Sequence, residues 1–265
     1  MSSKKDKITA VIITKNEEGR IKRCLDSLKN WADEIVIVDD LSADRTVEIC
    51  RQFGARVISH KSDGNFDQQR NIGIDNATSD WILQMDADEI VTAGLKEEIE
   101  KILAGDTEFS GLKFKRKNFF LGKPLMHGGW HHDFLRLFRK NAARYIGASV
   151  HELINIHGKI GHINADMEHY LYQGISQFVE RQNYYTSVEA KRLLRERGVV
   201  SEKEIKYHLA IKPLKLFWKT YVKKRGFRDG LVGLIYCLFD AYNHFLKWAK
   251  YWELVKSKNE DNLSR

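Results

Sequence analysis

The stretch Trp81-Ile82-Leu83-Gln84-Met85-Asp86-Ala87-Asp88-Glu89 decides how the fold of this chain is interpreted. Its apolar first half has the composition of a buried β-strand, and two carboxylates spaced one residue apart follow directly. Alternate residues of an extended segment project to the same side, so Asp86 and Asp88 can bind one divalent cation through oxygen. Such a cation can neutralise a diphosphate. Because Asp-x-Asp alone is common by chance, its weight depends on the neighbouring sequence.

Upstream of this stretch, apolar β-branched runs alternate with amphipathic segments. The predicted elements are strands at 8–14, 33–39, 55–59 and 81–85, and helices at 16–28, 42–53 and 66–76. The alternation predicts an α/β fold with a mostly parallel central sheet and helices on both faces. Ligands of such sheets bind beyond the carboxyl ends of the strands, where Asn16, Asp39, Asp40, Asp86 and Asp88 fall.

The remainder of the chain has a different pattern. Strands are predicted at 112–116, 134–138 and 154–156, then a long helix at 176–197 and a helical region at 203–255. We expect that last region to be broken near Pro213 and around Gly226 and Gly230. The pattern predicts two domains, an α/β domain at 1–170 and a helical extension at 171–265.

The positive charge is concentrated in the tail. The whole chain carries +8, and residues 201–265 hold 14 Lys/Arg against 7 Asp/Glu, together with 12 aromatic residues. The first two hundred residues are therefore nearly neutral, which argues against a nucleic-acid partner. A basic aromatic tail suits docking on an anionic membrane surface, or helix packing that includes a homodimer contact.

Cysteine content and the terminus bear on localisation. The three cysteines, Cys24, Cys50 and Cys237, are far apart, which is typical of reduced thiols. The polar start lacks a signal peptide, and no apolar run reaches the roughly 18–20 residues that span a bilayer. We expect a cytoplasmic protein, with peripheral association at the cytoplasmic face of the inner membrane as an option.

Four ordered motifs resemble those of the family-two glycosyltransferases. They are Ile12-Ile13-Thr14-Lys15-Asn16-Glu17-Glu18, the segment 36–46 containing Asp39-Asp40, Gln69-Arg70-Asn71-Ile72-Gly73, and Gln84-Met85-Asp86-Ala87-Asp88-Glu89. The resemblance implies the nucleotide-sugar-binding GT-A fold. The stretch from Arg136-Leu137-Phe138-Arg139 to Val150-His151-Glu152 is similar to the subgroup that includes lipopolysaccharide inner-core glucosyltransferases.

The resemblance also implies an activity. The expected reaction is metal-dependent, inverting transfer of a hexose from a nucleotide-diphosphate sugar, a UDP-sugar, to a saccharide or lipid-linked acceptor in cell-envelope glycan synthesis. Mg²⁺ and Mn²⁺ both suit the oxygen ligands. One alternative is transfer to polyprenyl phosphate. The other, of a different class, is a non-catalytic basic module that binds membranes.

Several residues are candidates for the donor site. Asp39 or Asp40 can accept hydrogen bonds from a uracil N–H or from ribose hydroxyls, and Thr14, Asn16 and Glu18 can line the nucleoside pocket. The structural alternatives are helix capping, by Asn16 for the first helix and by Asp40 or Ser42 for the second.

The remaining candidates surround the diphosphate and the acceptor. Arg70 can approach the diphosphate or hold Asp86, or it can lie on a solvated helix face. We expect Asp86 to face the ribose and the metal, and Asp88 to ligate the metal. An inverting transfer needs one general base. Glu152 is the first choice, with partnership to Arg136 or Arg139 as its alternative role, and Asp133 is the second choice.

Overall fold

Four parallel strands form one half of the central sheet in the computed structural model, which describes residues 6–147, 154–172 and 174–263. They are β1 (Ile8–Thr14), β2 (Glu34–Asp39), β3 (Arg56–Ser59) and β4 (Trp81–Asp86). β1 lies between β2 and β4, and Val11 is in register with Val36 on one side and Gln84 on the other. The carboxyl ends of β1, β2 and β4 therefore lie side by side.

Three helices cover this parallel half from both faces. They are α1 (Ile21–Leu28), α2 (Thr46–Gln52) and α3 (Phe66–Asn76). On one face, Leu25 of α1 packs in a core with Trp81, both fully buried. On the other face, Ile74 of α3 packs with Val11 and Ile82. Burial on both faces explains why these strands read as continuous apolar runs in the sequence.

The second half of the sheet is antiparallel. After β4 come β5 (Glu89–Val91), α4 (Ala93–Leu103), β6 (Phe109–Phe120), β7 (Lys123–Leu125), β8 (Asp133–Arg139), β9 (Ala143–Tyr145), β10 (Ile154–Ile156) and β11 (Lys159–Tyr172). The strand order is β3-β2-β1-β4-β8-β6-β11-β5, with β7 paired to β6, and β9–β10 form a separate ribbon. Leu83 of β4 lies opposite Leu137 of β8, which brings the first residues of β8 beyond the carboxyl end of β4.

The C-terminal region is helical. It contains α5 (Ile175–Arg197), α6 (Glu202–Lys206), a π-helical turn (Tyr207–Ile211), α7 (Lys212–Phe217), a second π-helical turn (Trp218–Lys223), a 3₁₀ turn (Gly226–Asp229) and α8 (Gly230–Leu263). Among the helices described, none is both long enough and apolar enough to cross a membrane.

The predicted break near Pro213 is wrong, because the chain is continuously helical from Glu202 to Lys223. Pro213 lies at the start of α7, directly after a π-helical turn. A π turn changes the backbone hydrogen-bond register, and proline is tolerated at the start of the helical segment that follows. The predicted breaks around Gly226 and Gly230 are confirmed, because Arg225 and Gly230 have positive φ values of 59° and 66° on either side of the 3₁₀ turn.

The chain divides into two compact units. One comprises Met1–Lys117 and His132–His169, and the other comprises Asn118–His131 and Tyr170–Arg265. The last crossing between the units lies between His169 and Tyr170, and the domain boundary at residue 170 stays a prediction. The short segment 118–131, which precedes that boundary in the sequence, belongs to the helical unit.

Candidate active site

The loops that follow β1 and β2 are joined by reciprocal hydrogen bonds. The Asn16 N–H donates to Ser42 Oγ at 2.8 Å, and the Ala43 N–H donates to Asn16 Oδ1 at 2.8 Å. The Arg45 N–H donates to Glu18 Oε2 at 2.9 Å. Backbone N–H groups of both loops thereby have hydrogen-bond partners without adopting a helical conformation. They explain why the helices predicted to begin at residues 16 and 42 begin only at Ile21 and Thr46.

The capping interpretations of Asn16 and Ser42 are wrong. The N-cap positions of α1 and α2 are Arg20 and Arg45, and neither side chain makes a capping hydrogen bond. Asn16 instead has a positive φ of 52°, a conformation that asparagine tolerates better than most residues. Asn16 and Glu18 therefore build the rim of the site, and their contact with a nucleoside stays a prediction.

Asp39 and Asp40 are both buried in polar networks at the end of β2. Asp39 accepts hydrogen bonds from Thr14 Oγ1 at 3.0 Å and from the Ser42 N–H at 2.9 Å. Asp40 accepts from the Ser62 N–H and hydroxyl, at 2.9 and 2.7 Å, and from Lys15 Nζ at 2.9 Å.

These partners exclude a helix cap by Asp40 and hold its carboxylate in one orientation. Burial acts to raise the pKa of Asp40, but the Ser62 hydrogen bonds and the Lys15 ammonium outweigh it and lower the pKa. An ionised, oriented carboxylate at the carboxyl edge of the sheet is an acceptor suited to ribose hydroxyls. That role for Asp39 or Asp40 stays a prediction.

Asp86 ends β4 among three arginines. Its Oδ2 lies 3.1 Å from Arg136 Nη2 and 3.7 Å from Arg116 Nη1, and its Oδ1 lies 3.5 Å from Arg70 Nη2. Burial would raise the pKa of Asp86, but Arg136, Arg70 and Arg116 hold that pKa well below its usual range. The carboxylate is therefore ionised and neutralised by protein cations, while 26% of the side chain stays exposed.

Arg70 is not on a solvated helix face. Its side chain is buried on α3, where it pairs with Asp67 at 3.2 Å and lies over the Tyr145 ring at 5.3 Å. The contact with Asp86 agrees with one of the two roles expected for Arg70. Its approach to a diphosphate stays a prediction.

Glu89 is a member of the cluster that sequence reasoning missed. It is fully buried, accepts from the Asp86 N–H at 2.8 Å, and pairs with Arg116 at 3.0 Å and Arg136 at 3.6 Å. Arg116 and Arg136 were also not recognised as site residues. A sequence signal existed. Arg116 shares the strand face of the apolar Leu112 and Phe114, and Arg136 interrupts the apolar run 134–138.

Asp88 faces a different set of partners. Its Oδ2 accepts from Arg20 Nη1 at 3.2 Å, and its Oδ1 lies 3.3 Å from His169 Nε2. Burial acts to raise the pKa of Asp88, but His169 and Arg20 outweigh it and lower the pKa. Arg20 in turn donates to Glu17 Oε2 at 2.8 Å. The β1–α1 loop is thereby linked to the end of β4.

The donor atoms at this edge fit a divalent cation in part. Asp88 and His169 offer an oxygen and a nitrogen close together, and Asp86 lies two residues before Asp88. Within the described ranges, no group of three or more His, Cys, Asp or Glu side chains is arranged to hold a metal. Mg²⁺ is commonly held by one or two carboxylates together with substrate phosphates and water, so the set suits a cation that arrives with its nucleotide.

The structure describes one of the two candidates for the general base. Glu152 lies outside the described residues. Asp133 is the first residue of β8, half-exposed, and paired with His162 Nε2 at 2.9 Å. Arg139, considered as a partner of Glu152, lies over the Trp81 ring and 3.6 Å from Asp6.

Comparison with known proteins identifies the family. Residues 9–163 match the profile of Glycosyl transferase family 2. The chain belongs to this family. It is 33% identical to an uncharacterized glycosyltransferase of Rickettsia felis, over 96% of this chain and 93% of that protein. It is 26% identical to the lipopolysaccharide core biosynthesis glycosyltransferase LpsC of Rhizobium meliloti, over 97% of this chain and 96% of LpsC.

A solved structure supports the fold assignment. The mannosyltransferase PcManGT from Pyrobaculum calidifontis, determined in complex with GDP-Man and Mn²⁺, superposes with a TM-score of 0.52 at 12% identity, covering 95% of this chain and 88% of that one. The predicted family and the GT-A type α/β fold are confirmed, and this protein is a glycosyltransferase.

Proposed function

We propose that this glycosyltransferase moves a hexose from a UDP-sugar, with inversion and with Mg²⁺ or Mn²⁺, to a lipid-linked saccharide in cell-envelope glycan synthesis. The observation that carries the proposal is the end of β4, where Asp86 lies beside three arginines and Asp88 lies beside Arg20 and His169. A nucleoside diphosphate is a multiply charged leaving group, and positioned cations are what stabilises its departure.

The two aspartates divide the work. Asp86 is already neutralised by arginines, so its main role is to hold them at the end of the strand. Asp88 and His169 are the residues that would hold the cation, with diphosphate oxygens and water completing its coordination. A bound cation supplies Lewis-acid stabilisation of the leaving diphosphate. The Asp86 carboxylate lies beside three guanidinium groups, whereas the Asp88 carboxylate lies beside one. Asp86 is therefore the weaker metal ligand of the two.

Arg116 is the arginine best suited to contact the diphosphate. Its side chain is 19% exposed, against 1% for Arg136 and 6% for Arg70. Its buried Nε–H has no acceptor in the part of the chain that the structure describes. The Phe134 ring, 4.3 Å from the guanidinium carbon, fixes the plane of the group. A planar, fixed guanidinium presents its donors in the geometry that phosphate oxygens accept.

The transfer itself is a single displacement. The acceptor hydroxyl oxygen forms a bond to the anomeric carbon while the bond from that carbon to the β-phosphate oxygen breaks, and the electron pair leaves with UDP. The hydroxyl proton passes to a general base, for which Glu152 is the first candidate and Asp133 the second. Thr14, Asp39 and Asp40 lie on the nucleoside side, at the ends of β1 and β2.

Conservative substitutions of the two acids test the base. Glu152→Gln should leave donor binding near normal and reduce turnover by about two to four orders of magnitude, the usual range for loss of a general base. Asp133→Asn is the matched variant and should retain turnover within a few-fold. The reverse pattern, an inactive Asp133→Asn with an active Glu152→Gln, would transfer the role to Asp133. Turnover is measured as UDP release.

The acceptor proposal draws support from the relatives. LpsC is named for lipopolysaccharide core biosynthesis, and it aligns along nearly the whole chain. A lipid-linked acceptor would place the enzyme at the cytoplasmic face of the inner membrane. An acceptor panel that includes polyprenyl phosphate separates this proposal from the alternative reaction. The third interpretation, a module without catalysis, is disfavoured by the family, and UDP-sugar turnover tests it directly.

A further inference from the structure

One face of the helical segment 202–223 exposes four apolar side chains. Tyr207, Ile211, Leu214 and Trp218, here called the exposed strip, have 37, 45, 69 and 56% of their surface accessible. Their spacing of four, three and four residues places them on one side of the helix. The opposite side faces the core: Ile205 is buried in a cluster that also contains Trp248, and Leu209 is partly buried against it. The exposed strip is therefore an outward face rather than part of the core.

Positive charge surrounds the exposed strip. Residues 205–228 contain eight Lys/Arg and no Asp/Glu. Lys215 and Lys219 are exposed within the same turns as Leu214 and Trp218, and Lys215 Nζ lies 5.3 Å from the centre of the Tyr207 ring. Apolar side chains that include a tryptophan, flanked by lysines, are the composition of a helix that lies in the interface of an anionic bilayer.

A second exposed apolar face, on α8, lacks the positive charge that surrounds the exposed strip. Leu238, Tyr242 and Phe245 on α8 are 50, 43 and 41% exposed. Between residues 230 and 257, however, three lysines are offset by two acidic residues. Of these two described faces, the exposed strip is the one that combines apolar side chains with an unopposed positive charge. That combination matches anionic lipid rather than a neutral protein surface.

We propose that the exposed strip docks this enzyme on an anionic lipid bilayer, with Leu214 and Trp218 inserted among the lipid chains and Lys215 and Lys219 at the headgroups. The proposal rests on the proposed function in one respect, since a lipid-linked acceptor gives the docking a purpose. Docking confines enzyme and acceptor to the same surface, which raises their rate of encounter.

The test is cosedimentation of the full-length protein with vesicles of phosphatidylcholine alone or with 30 mol% phosphatidylglycerol. Wild type should bind the anionic vesicles, and binding should weaken as salt rises. Leu214→Ser/Trp218→Ser should lower the affinity by about tenfold or more, because two large apolar side chains leave the bilayer. Leu238→Ser/Tyr242→Ser, the matched pair on α8, should bind like wild type.

A charge-reversal pair provides an independent variant. Lys215→Glu/Lys219→Glu should lose about fivefold in affinity for each unit of positive charge removed. Lys191→Glu/Arg195→Glu on α5 removes the same charge from another exposed face and is the matched control. Circular dichroism of each variant separates weak binding from misfolding.

Several outcomes would overturn the proposal. The first is that the wild-type protein does not bind anionic vesicles. The second is that the strip variants and their control variants lose vesicle affinity equally. The third is that the wild type is a dimer in light scattering and that only the strip variants are monomers. Tight, vesicle-competing binding of an RNA oligonucleotide would also overturn it. UDP binding by calorimetry, measured on the same proteins without vesicles, keeps a failure of donor binding distinguishable from a failure of docking.

Discussion

Replacing Arg136 by Met removes one charge from the centre of the site while keeping an apolar stem of similar length. The guanidinium is 1% exposed and lies 3.1 Å from Asp86 Oδ2 and 3.6 Å from Glu89 Oε1. After the substitution, Glu89, which is fully buried, retains Arg116 at 3.0 Å, and Asp86 retains Arg70 and Arg116 at longer distances. Removing one partner of a buried pair typically costs about 3–5 kcal/mol, and we expect a loss in that range.

The same substitution three residues further along β8 is the control. Arg139 has 37% of its side chain exposed and lies 3.6 Å from Asp6. Exposed ion pairs contribute about 0–1 kcal/mol, and the stacking of Arg139 over Trp81 adds about 0.5–1 kcal/mol. Arg139→Met should therefore lower the free energy of unfolding by about 0.5–2 kcal/mol, clearly less than Arg136→Met.

Urea unfolding at pH 7, followed by circular dichroism, measures both variants against wild type. The expected order of midpoints is wild type, then Arg139→Met, then Arg136→Met well below. If Arg136→Met unfolds at the same urea concentration as Arg139→Met, water or rearrangement compensates the carboxylates. The cluster would then not be the desolvated, charge-coupled site that the distances describe.

Two further predictions concern packing and pH. Gly73→Ala places a Cβ 2.2 Å from Val11 Cγ1, so it should lower the free energy of unfolding by about 1–3 kcal/mol. At Gly94 the nearest atom to an added Cβ is 3.9 Å away, so Gly94→Ala should raise the free energy of unfolding by about 0.5 kcal/mol. Equal melting temperatures of the two variants would contradict this. Burial and nearby positive charge lower the pKa of His244 to about 4. Because the folded pKa lies below the unfolded value of about 6.5, stability should be lost as pH falls from 6.5 towards 4. His244→Gln should flatten that dependence in urea titrations, and an unchanged slope would refute it.

Local sequence was sufficient for β1, β4 and α3 of the parallel half. The apolar runs at 8–14 and 81–85 match β1 and all but the last residue of β4, and helix 66–76 matches α3 residue for residue. These segments are buried on one or both faces, so their hydrophobic pattern directly reflects their surroundings. The same logic placed Asp86 and Asp88 at the carboxyl edge of the sheet before any contact was known.

Long-range contacts were not accessible in this way. Arg20 meets Asp88 across 68 positions, and Arg136 meets Asp86 across 50. Such pairs depend on how β8 registers against β4 and on where the β1–α1 loop ends, neither of which a local pattern encodes. The late start of α1 has the same origin. Asn16 and Glu18 form hydrogen bonds with a loop 26–27 residues further along the chain, rather than the hydrogen bonds of a helix.

The most direct test of the central claim is calorimetric titration of the protein with UDP, with and without Mn²⁺, in wild type, Asp88→Ala and Asp80→Ala. Asp80 is exposed just before the opposite end of β4 and is the matched control. We predict that UDP binds only with Mn²⁺, that Asp88→Ala abolishes binding, and that Asp80→Ala preserves it. Metal-dependent UDP binding that is undiminished in Asp88→Ala would contradict a nucleotide-sugar site built on the end of β4.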